Sequence, residues 1–260
     1  MRIVIALWLA LVWPVLALAQ EPVPDARAVI SRDVDFPGGD LAAIFDTTLD
    51  ACEAACLANS QCTAFTFNQR SDSCFPKVDA GVVAPYQGAL SARILRTPEI
   101  VRQRAAIRAG ELDFLPAPAI AEARDLAARI GRLHSVDEFG TRELLDAAAR
   151  ARSDGNLLSA LRLTGAATAL TDEPSHWLEY GRLARSVSGE TSQETNRIRR
   201  NALPAMLNAY LRAESPGIRA TILNEVALAL EDREEGRLAI PVLRLSLDLA
   251  PRRDTEAALE

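Results

Sequence analysis

The chain changes its pattern of apolar and polar positions partway along its length. In the first part, residues 62–68 alternate with a period of two, and residues 73–75 and 86–95 continue this β-type pattern. Ahead of these strands, residues 49–57 form an alanine-rich run behind two threonines, which is typical of a capped helix. These patterns predict an α+β domain over residues 28–96, in which a helix packs on a small, twisted antiparallel sheet.

The rest of the chain has apolar residues at helical spacing and is rich in alanine, leucine and arginine. Residues 97–140 predict connecting helices, and residues 141–260 predict helices that come in pairs. A block of small and apolar residues beginning at Leu144 recurs 33 residues later at Trp177 and 46 residues after that at Leu223. Small residues in such blocks let helix pairs stack closely. We therefore expect an all-α domain of helical repeats, with a non-repeating bundle as the alternative.

The longer gap between the second and third blocks contains extra residues around 188–199. Thr191 and Glu194 have the spacing of a capping box, in which two side chains accept hydrogen bonds from N–H groups at the start of a helix. The sequence thus predicts that a helix begins inside this insertion.

The first nineteen residues have the layout of a signal peptide. Arg2 supplies a positive charge, Ile3–Leu16 is apolar, and small residues precede a predicted cleavage between Ala19 and Gln20. An uncleaved anchor is the alternative, but the apolar run is shorter than the about 20 residues of a membrane span, and Pro14 interrupts it. We expect a periplasmic or secreted protein without a membrane span after signal cleavage.

Composition and charge exclude several classes of protein. With 49% hydrophobic and 25% charged residues, the chain is neither disordered, nor collagen-like, nor a polytopic membrane protein. Its net charge of -6 argues against nucleic-acid binding, which usually requires a basic face.

The four cysteines lie within 23 residues, at Cys52, Cys56, Cys62 and Cys74. In an oxidising compartment, such an even and clustered set indicates disulfides. A zinc site is the alternative, because Cys52 and Cys56 share one helix face, but the short C-x2-C spacing of most zinc sites is missing. We therefore expect no metal. Four cysteines allow three pairings, and their spacing does not choose among them.

The segment from about residue 28 to residue 96 resembles a PAN/apple domain. The resemblance rests on a D-F-P-G-G-D-L turn, the C-x3-C helix, a C-T-A-F-T-F-N strand and the S-x-x-C-F-x-K hairpin that ends at Lys77. It implies nested disulfides, Cys52 with Cys74 and Cys56 with Cys62. It also implies a non-enzymatic module that binds protein or carbohydrate. The sequence assigns no ligand-binding residue, and we expect three phenylalanines to pack in the core or on the sheet: Phe65, Phe67 and Phe75.

The helical part has resemblances of its own. Trp177 to Gly181 is similar to the W-x2-L-G signature of tetratricopeptide repeats. The order of signal peptide, PAN-like domain and helical repeats ending in L-x-L-A-P-R at 247–252 resembles the N-terminal region of bacterial alpha-2-macroglobulin-like proteins, which are protease traps of the envelope. The macroglobulin domains and the C-x-E-Q thioester are missing. The resemblance therefore implies the recognition part of a truncated or split protease-defence system, with a macroglobulin-type chain or a protease as partner.

Catalytic motifs are missing from the sequence, which predicts neither an enzyme nor a cofactor. His134 and His176 lie in helical surroundings without an acid or a cysteine at a diagnostic spacing, so we expect surface or helix-terminal roles for both. Nucleotide-binding glycine loops and metalloprotease and hydrolase motifs are also missing.

Two charged clusters have a structural and a functional interpretation. Asp33, Asp35 and Asp40 suggest turn chemistry more than a calcium loop, because the spacing of an EF-hand is missing. A basic cluster near residue 200 is interpreted as a solvated helix face, with anion binding as the alternative; it comprises Arg197, Arg199 and Arg200.

The disulfide pairing is directly testable. Peptide mapping without reduction should recover Cys52 linked to Cys74 and Cys56 linked to Cys62. Four free thiols, or one zinc ion per chain, would contradict both the domain assignment and the predicted compartment.

Overall fold

In the computed structural model, which describes residues 21–135 and 140–251, the N-terminal part is an antiparallel sheet with one helix against it. The strands are arranged in the order β1-β4-β2-β3. The elements of this part are β1 (Ala26–Asp35), α1 (Leu49–Ala58), β2 (Ala64–Asn68), β3 (Ser73–Lys77) and β4 (Ala84–Arg96).

Nine helices follow within the described residues. They are α2 (Glu99–Gly110), α3 (Ala117–Leu133), α4 (Thr141–Ser153), α5 (Leu157–Leu170), α6 (Pro174–Ser186), α7 (Ser192–Arg199), α8 (Ala202–Arg212), α9 (Pro216–Asp232) and α10 (Gly236–Leu249). The predicted fold class, a helix on a small antiparallel sheet followed by an all-helical region, is confirmed. No helix in the described ranges is both long enough and apolar enough to cross a membrane. The predicted signal peptide, residues 1–19, and the cleavage position between Ala19 and Gln20 lie outside those ranges.

Helix α1 begins and ends at polar residues, as its sequence predicts. The Thr48 hydroxyl accepts a hydrogen bond of 3.2 Å from the Ala51 N–H, which satisfies one of the free donors of the first turn. At the other end, Asn59 leaves the helical conformation and its N–H donates to the Cys56 carbonyl. The helix buries Cys52 and Cys56 and packs against β2 and β3.

The four cysteines form two disulfides. Cys52 is bonded to Cys74 and ties α1 to β3, whereas Cys56 is bonded to Cys62 just before β2. This is the nested pairing that the PAN/apple resemblance implies. All four side chains are buried, in a cluster that includes Phe65 and Phe67 of β2. Each cross-link restricts the unfolded chain and contributes about 2–4 kcal/mol to stability.

The edge strand β3 is covered by the segment that precedes α1. The Leu41 N–H donates to the Pro76 carbonyl at 2.8 Å, and Ile44 and Cys74 exchange two backbone hydrogen bonds. A covered edge no longer offers unpaired N–H and C=O groups to another chain. The same contacts fix the turn at residues 36–41 beside the sheet.

The helices pack as neighbouring pairs, with one helix inserted. Helix α4 packs on α5, α6 on α8, and α9 on α10, while α7 lies in the chain between α6 and α8 and contacts α6. The predicted helix start at Thr191 is confirmed. The Thr191 hydroxyl accepts from the Glu194 N–H at 3.1 Å, and the Glu194 carboxylate accepts from the Glu190 N–H at 2.9 Å.

The sheet and the helices share an interface where α3 crosses β1. Val29 of β1 belongs to the same buried cluster as Leu126 and Ile130 of α3. Gly131 makes this approach possible, because a Cβ atom at that position would lie 2.3 Å from the carbonyl oxygen of Ala28. Only a residue without a side chain lets the two backbones come this close.

Arg27, at the start of β1, is buried against the end of α5. Its Nε donates to the Ala169 carbonyl at 2.8 Å, and one terminal nitrogen donates to the Thr171 carbonyl at 3.0 Å. These carbonyls are among those that a helix end leaves without partners. A cation at this position also interacts favourably with the negative end of the helix dipole. The other terminal nitrogen lies 3.2 Å from the Asp172 carboxylate.

Asp172 also binds a second buried arginine, Arg212 of α8. The Arg212 Nε lies 3.2 Å from the same carboxylate oxygen, and its guanidinium lies 5.1 Å from the centre of the Trp177 ring. Burial lowers the pKa of Arg212 to about 10, so the side chain keeps its charge at neutral pH. Asn208 links this group to α3, because it accepts from Arg212 at 2.6 Å and donates to the Ala123 carbonyl at 2.6 Å.

The contact between α3 and β1 can be tested with two glycine substitutions. Gly131→Ala should lower the free energy of unfolding by about 1–3 kcal/mol, because the new methyl group meets backbone that cannot move aside cheaply. Gly110→Ala, at the end of α2, is the matched control, since its Cβ would meet no atom within 4 Å. Urea unfolding followed by circular dichroism measures both. Equal stability of the two variants would contradict the close approach.

Candidate functional site

The candidate site lies on the face of the sheet opposite α1. Because side chains alternate along a strand, Phe65 and Phe67 of β2 point into the disulfide-linked core, whereas Thr66 and Asn68 point to the other face. Phe75 of β3 pairs with Thr66 across the sheet and lies on that same outer face. This face carries both aromatic and polar groups.

The turn at residues 36–41 is fastened to this face by a buried hydroxyl pair. The hydroxyls of Thr66 and Ser91 lie 2.7 Å apart, and the Ser91 hydroxyl donates to the Val34 carbonyl at 2.8 Å. The Phe36 N–H donates to Thr66 at 3.3 Å. The Phe36 side chain is buried, with the Arg93 guanidinium 5.3 Å from the ring centre. The turn therefore forms a fixed wall on the sheet.

A pocket of about 260 Å³ opens between this turn and strands β2, β3 and β4. Tyr86 is 45% exposed at its rim, and its hydroxyl lies 3.4 Å from the Asn68 amide nitrogen. The pocket is lined by Asp35, Gly38, Asp40, Thr66, Asn68, Phe75, Lys77, Tyr86 and Ala89.

Lys77 is a buried cation in the lining of the pocket. It is the only lysine of the chain and is only 3% exposed. Its ammonium group forms an ion pair with Asp40, lies 3.4 Å from the Gly38 carbonyl and is 5.9 Å from the centre of the Phe75 ring. Because a buried charge is tolerated only with such partners, Lys77 and Asp40 hold the turn in place.

The pocket combines aromatic surface with a few polar groups. Phe75 and Tyr86 contribute aromatic side chains, Asn68 contributes a side-chain amide, and Asp35 adds carboxylate acceptors. Ligand sites typically have this mixture, in which apolar surface contributes affinity and the polar groups fix orientation. The volume is below the about 300–1,000 Å³ of most small-molecule sites, so it accommodates one sugar ring or one amino acid side chain.

The structure separates the cysteines from this pocket. The two disulfides lie in the core beneath α1, together with Phe65 and Phe67. Phe75, by contrast, is partly exposed and forms part of the pocket wall. The packing role expected for the three phenylalanines accounts fully for Phe65 and Phe67, whereas Phe75 also faces the pocket.

The three N-terminal aspartates do not converge on one point. Asp33 lies at the register shift of β1 with a positive φ of 56°, and its carboxylate accepts from the Gly88 N–H at 2.8 Å, so it belongs to a β-bulge and not to the predicted turn. Asp35 and Asp40 line the pocket, where Asp40 is paired with Lys77. Within the described ranges, no group of histidine, cysteine or acidic side chains is arranged to hold a metal ion.

Both histidines lie at helix ends and contact hydroxyl groups. His134 follows α3, its Nε2 lies 3.0 Å from the Tyr180 hydroxyl, and burial lowers its pKa to about 4. His176 is in the first turn of α6, with Nδ1 2.9 Å from the Thr171 hydroxyl. At neutral pH, His134 is therefore uncharged.

The comparisons with known proteins agree with this description of the sheet. The class defined by the fold is a disulfide-linked helix on a small antiparallel sheet, joined to a helical region. Residues 34–78 match the family model of the PAN domain, a module often used in protein or carbohydrate binding. The match covers α1, β2 and β3 but leaves out β4 and most of β1. No curated protein and no solved structure matches the chain.

Sequence patterns missed the pocket for a physical reason. The period-two alternation of β2 does indicate that Thr66 and Asn68 share one face. Tyr86, however, reaches the pocket only because β4 lies between β1 and β2 in the sheet, an order that local patterns do not contain.

Proposed function

We propose that this protein is a non-enzymatic binding module, and that the pocket on its PAN domain segment binds one residue of a carbohydrate or protein ligand. The observation that carries the proposal is the partly exposed Tyr86 beside Phe75 and Asn68, in a pocket whose walls are fixed by buried contacts. A sugar ring is the occupant that fits best, since it presents C–H groups to aromatic rings and hydroxyls to amides and carboxylates.

The absence of catalysis is part of the proposal. The pocket itself contains neither histidine, and its lysine is held in an ion pair with Asp40. Export through the signal peptide is a further element of the proposal, and two disulfides are consistent with an oxidising compartment.

We further propose that the helical region consists of tetratricopeptide-like pairs that support the binding domain. The pairing of α4 with α5, α6 with α8 and α9 with α10 supports this arrangement. Gly181 supports it as well, because a Cβ atom there would lie 2.9 Å from the Met206 side chain across the α6–α8 contact. In this proposal, α7 is an insertion within the second pair.

The binding proposal is tested by a glycan array and by capture from envelope extracts, using the oxidised mature chain. Tyr86→Ala should weaken saturable binding at least tenfold, because it removes the exposed aromatic face. Phe45→Ala is the matched control, since Phe45 is a 64% exposed aromatic residue of the same domain outside the pocket. Binding that Tyr86→Ala leaves unchanged would contradict the assignment of the pocket.

An alternative function is recognition within a split alpha-2-macroglobulin-like protease-defence system. The order of the domains and the L-x-L-A-P-R sequence at 247–252 favour it. If it is correct, the mature chain should form a complex with a separately encoded macroglobulin body and alter protease protection by that body. Size-exclusion chromatography of the mixture measures the association, and two independent peaks would rule out this alternative.

A further inference from the structure

A second cavity lies among the helices, and four arginines line it. It has a volume of about 450 Å³, within the range of small-molecule sites, and is bounded by α3, α5, α6 and α7. The arginines are Arg129, Arg132, Arg162 and Arg197, and among the described residues of the lining Glu194 is the one carboxylate. The excess of positive charge in this lining contrasts with the net charge of -6 of the whole chain.

The existing ion pairs neutralise only part of this charge. Arg132 is paired with Asp50 and Glu53 of α1, which compensate its charge. Arg197 lies 4.0 Å from Glu194, the limit of an ion pair.

Each of the two remaining arginines has a neutral neighbour, and Arg129 also lines another cavity together with Glu122 and Asp125. The Arg129 guanidinium donates to the Asn201 side-chain oxygen at 3.2 Å. Arg162 lies close enough to His134 to lower its pKa further. Among the described residues, no carboxylate forms an ion pair with Arg129 or Arg162.

The inner wall of the cavity consists of polar groups that are themselves fixed. Tyr180 is 1% exposed, and its hydroxyl contacts His134 at 3.0 Å. Burial raises the pKa of Tyr180 to about 12, and burial lowers that of His134, so both side chains are uncharged at neutral pH. The wall therefore offers hydrogen bonds without adding negative charge, and the charge of a bound anion would be met by the arginines alone.

We propose that this cavity binds a small molecule that carries a phosphate or carboxylate group, with Arg129, Arg162 and Arg197 as its charge partners and Tyr180 and Asn201 as neutral contacts. Guanidinium groups suit these ligands because their planar donors match the oxygens of both groups. The cavity shares no residue with the pocket on the sheet, so each proposal can be tested independently of the other.

Titration calorimetry with inorganic phosphate, citrate and uncharged glucose tests the proposal on the full mature chain. We expect saturable binding of phosphate or citrate and none of glucose. The double variant Arg129→Gln/Arg162→Gln should weaken binding at least tenfold, because it removes two of the charged groups that would donate hydrogen bonds to the anion. Arg199→Gln, which removes the same charge from α7 outside the cavity, should leave the affinity within about twofold.

The two histidines can show where in the protein the anion binds. His134 lines the cavity and His176 does not, so the imidazole NMR signals of His134 should move on addition of the bound anion while those of His176 stay in place. Three results would overturn the proposal. They are the absence of saturable binding, an equal loss of affinity in Arg199→Gln and in the double variant, and binding of DNA without binding of the small anions. Tyr86→Ala should bind the anion normally, which separates this test from that of the sheet pocket.

Discussion

The packing of the sheet against the helices depends on the hydrogen bonds and the ion pair made by the buried guanidinium of Arg27. A charge removed from water is stable only if its surroundings supply partners of the right number and direction. Arg27 obtains them from the end of α5 and from Asp172, whose carboxylate it shares with Arg212. If this strand left the helices, the carbonyls at the end of α5 would lose their donor and Asp172 would keep only one of its two arginines. Close contact of Gly131 with Ala28 adds a steric fit to this electrostatic one.

The junction also connects the two candidate sites. Helix α1, which the disulfides fix to the sheet, supplies Asp50 and Glu53 to Arg132 on the rim of the helical cavity. Burial raises the pKa of Glu53, and Arg132 opposes that effect. The rim of the helical cavity is thus partly built by the domain that carries the sheet pocket. The sheet and the helices thus form one framework that carries both candidate sites.

Local sequence patterns predict many of the helices and strands of this framework, but not the contacts that hold the sheet and the helices together. The threonine before α1, the alternation in β2 and the helix start at Thr191 depend on residues a few positions apart, so the sequence predicts them. The nested disulfides followed from a resemblance, since spacing leaves three pairings open. The role of Arg27 and the pockets depend on residues far apart in the chain. A solvent-facing arginine and a buried one look the same in sequence, because only the assembled partners distinguish them.

The burial of Arg27 has a consequence for the order in which the protein can assemble during synthesis. Its carbonyl partner Ala169 lies 142 residues further along the chain, and Asp172 lies 145 residues further. Strand β1 can pair with β4 once the first 96 residues have emerged, but its charged end must remain in water until α5 has been made. At about 5–20 residues per second, that wait lasts several seconds. The first of the described strands therefore reaches its final surroundings only after α5 and α8 have been made.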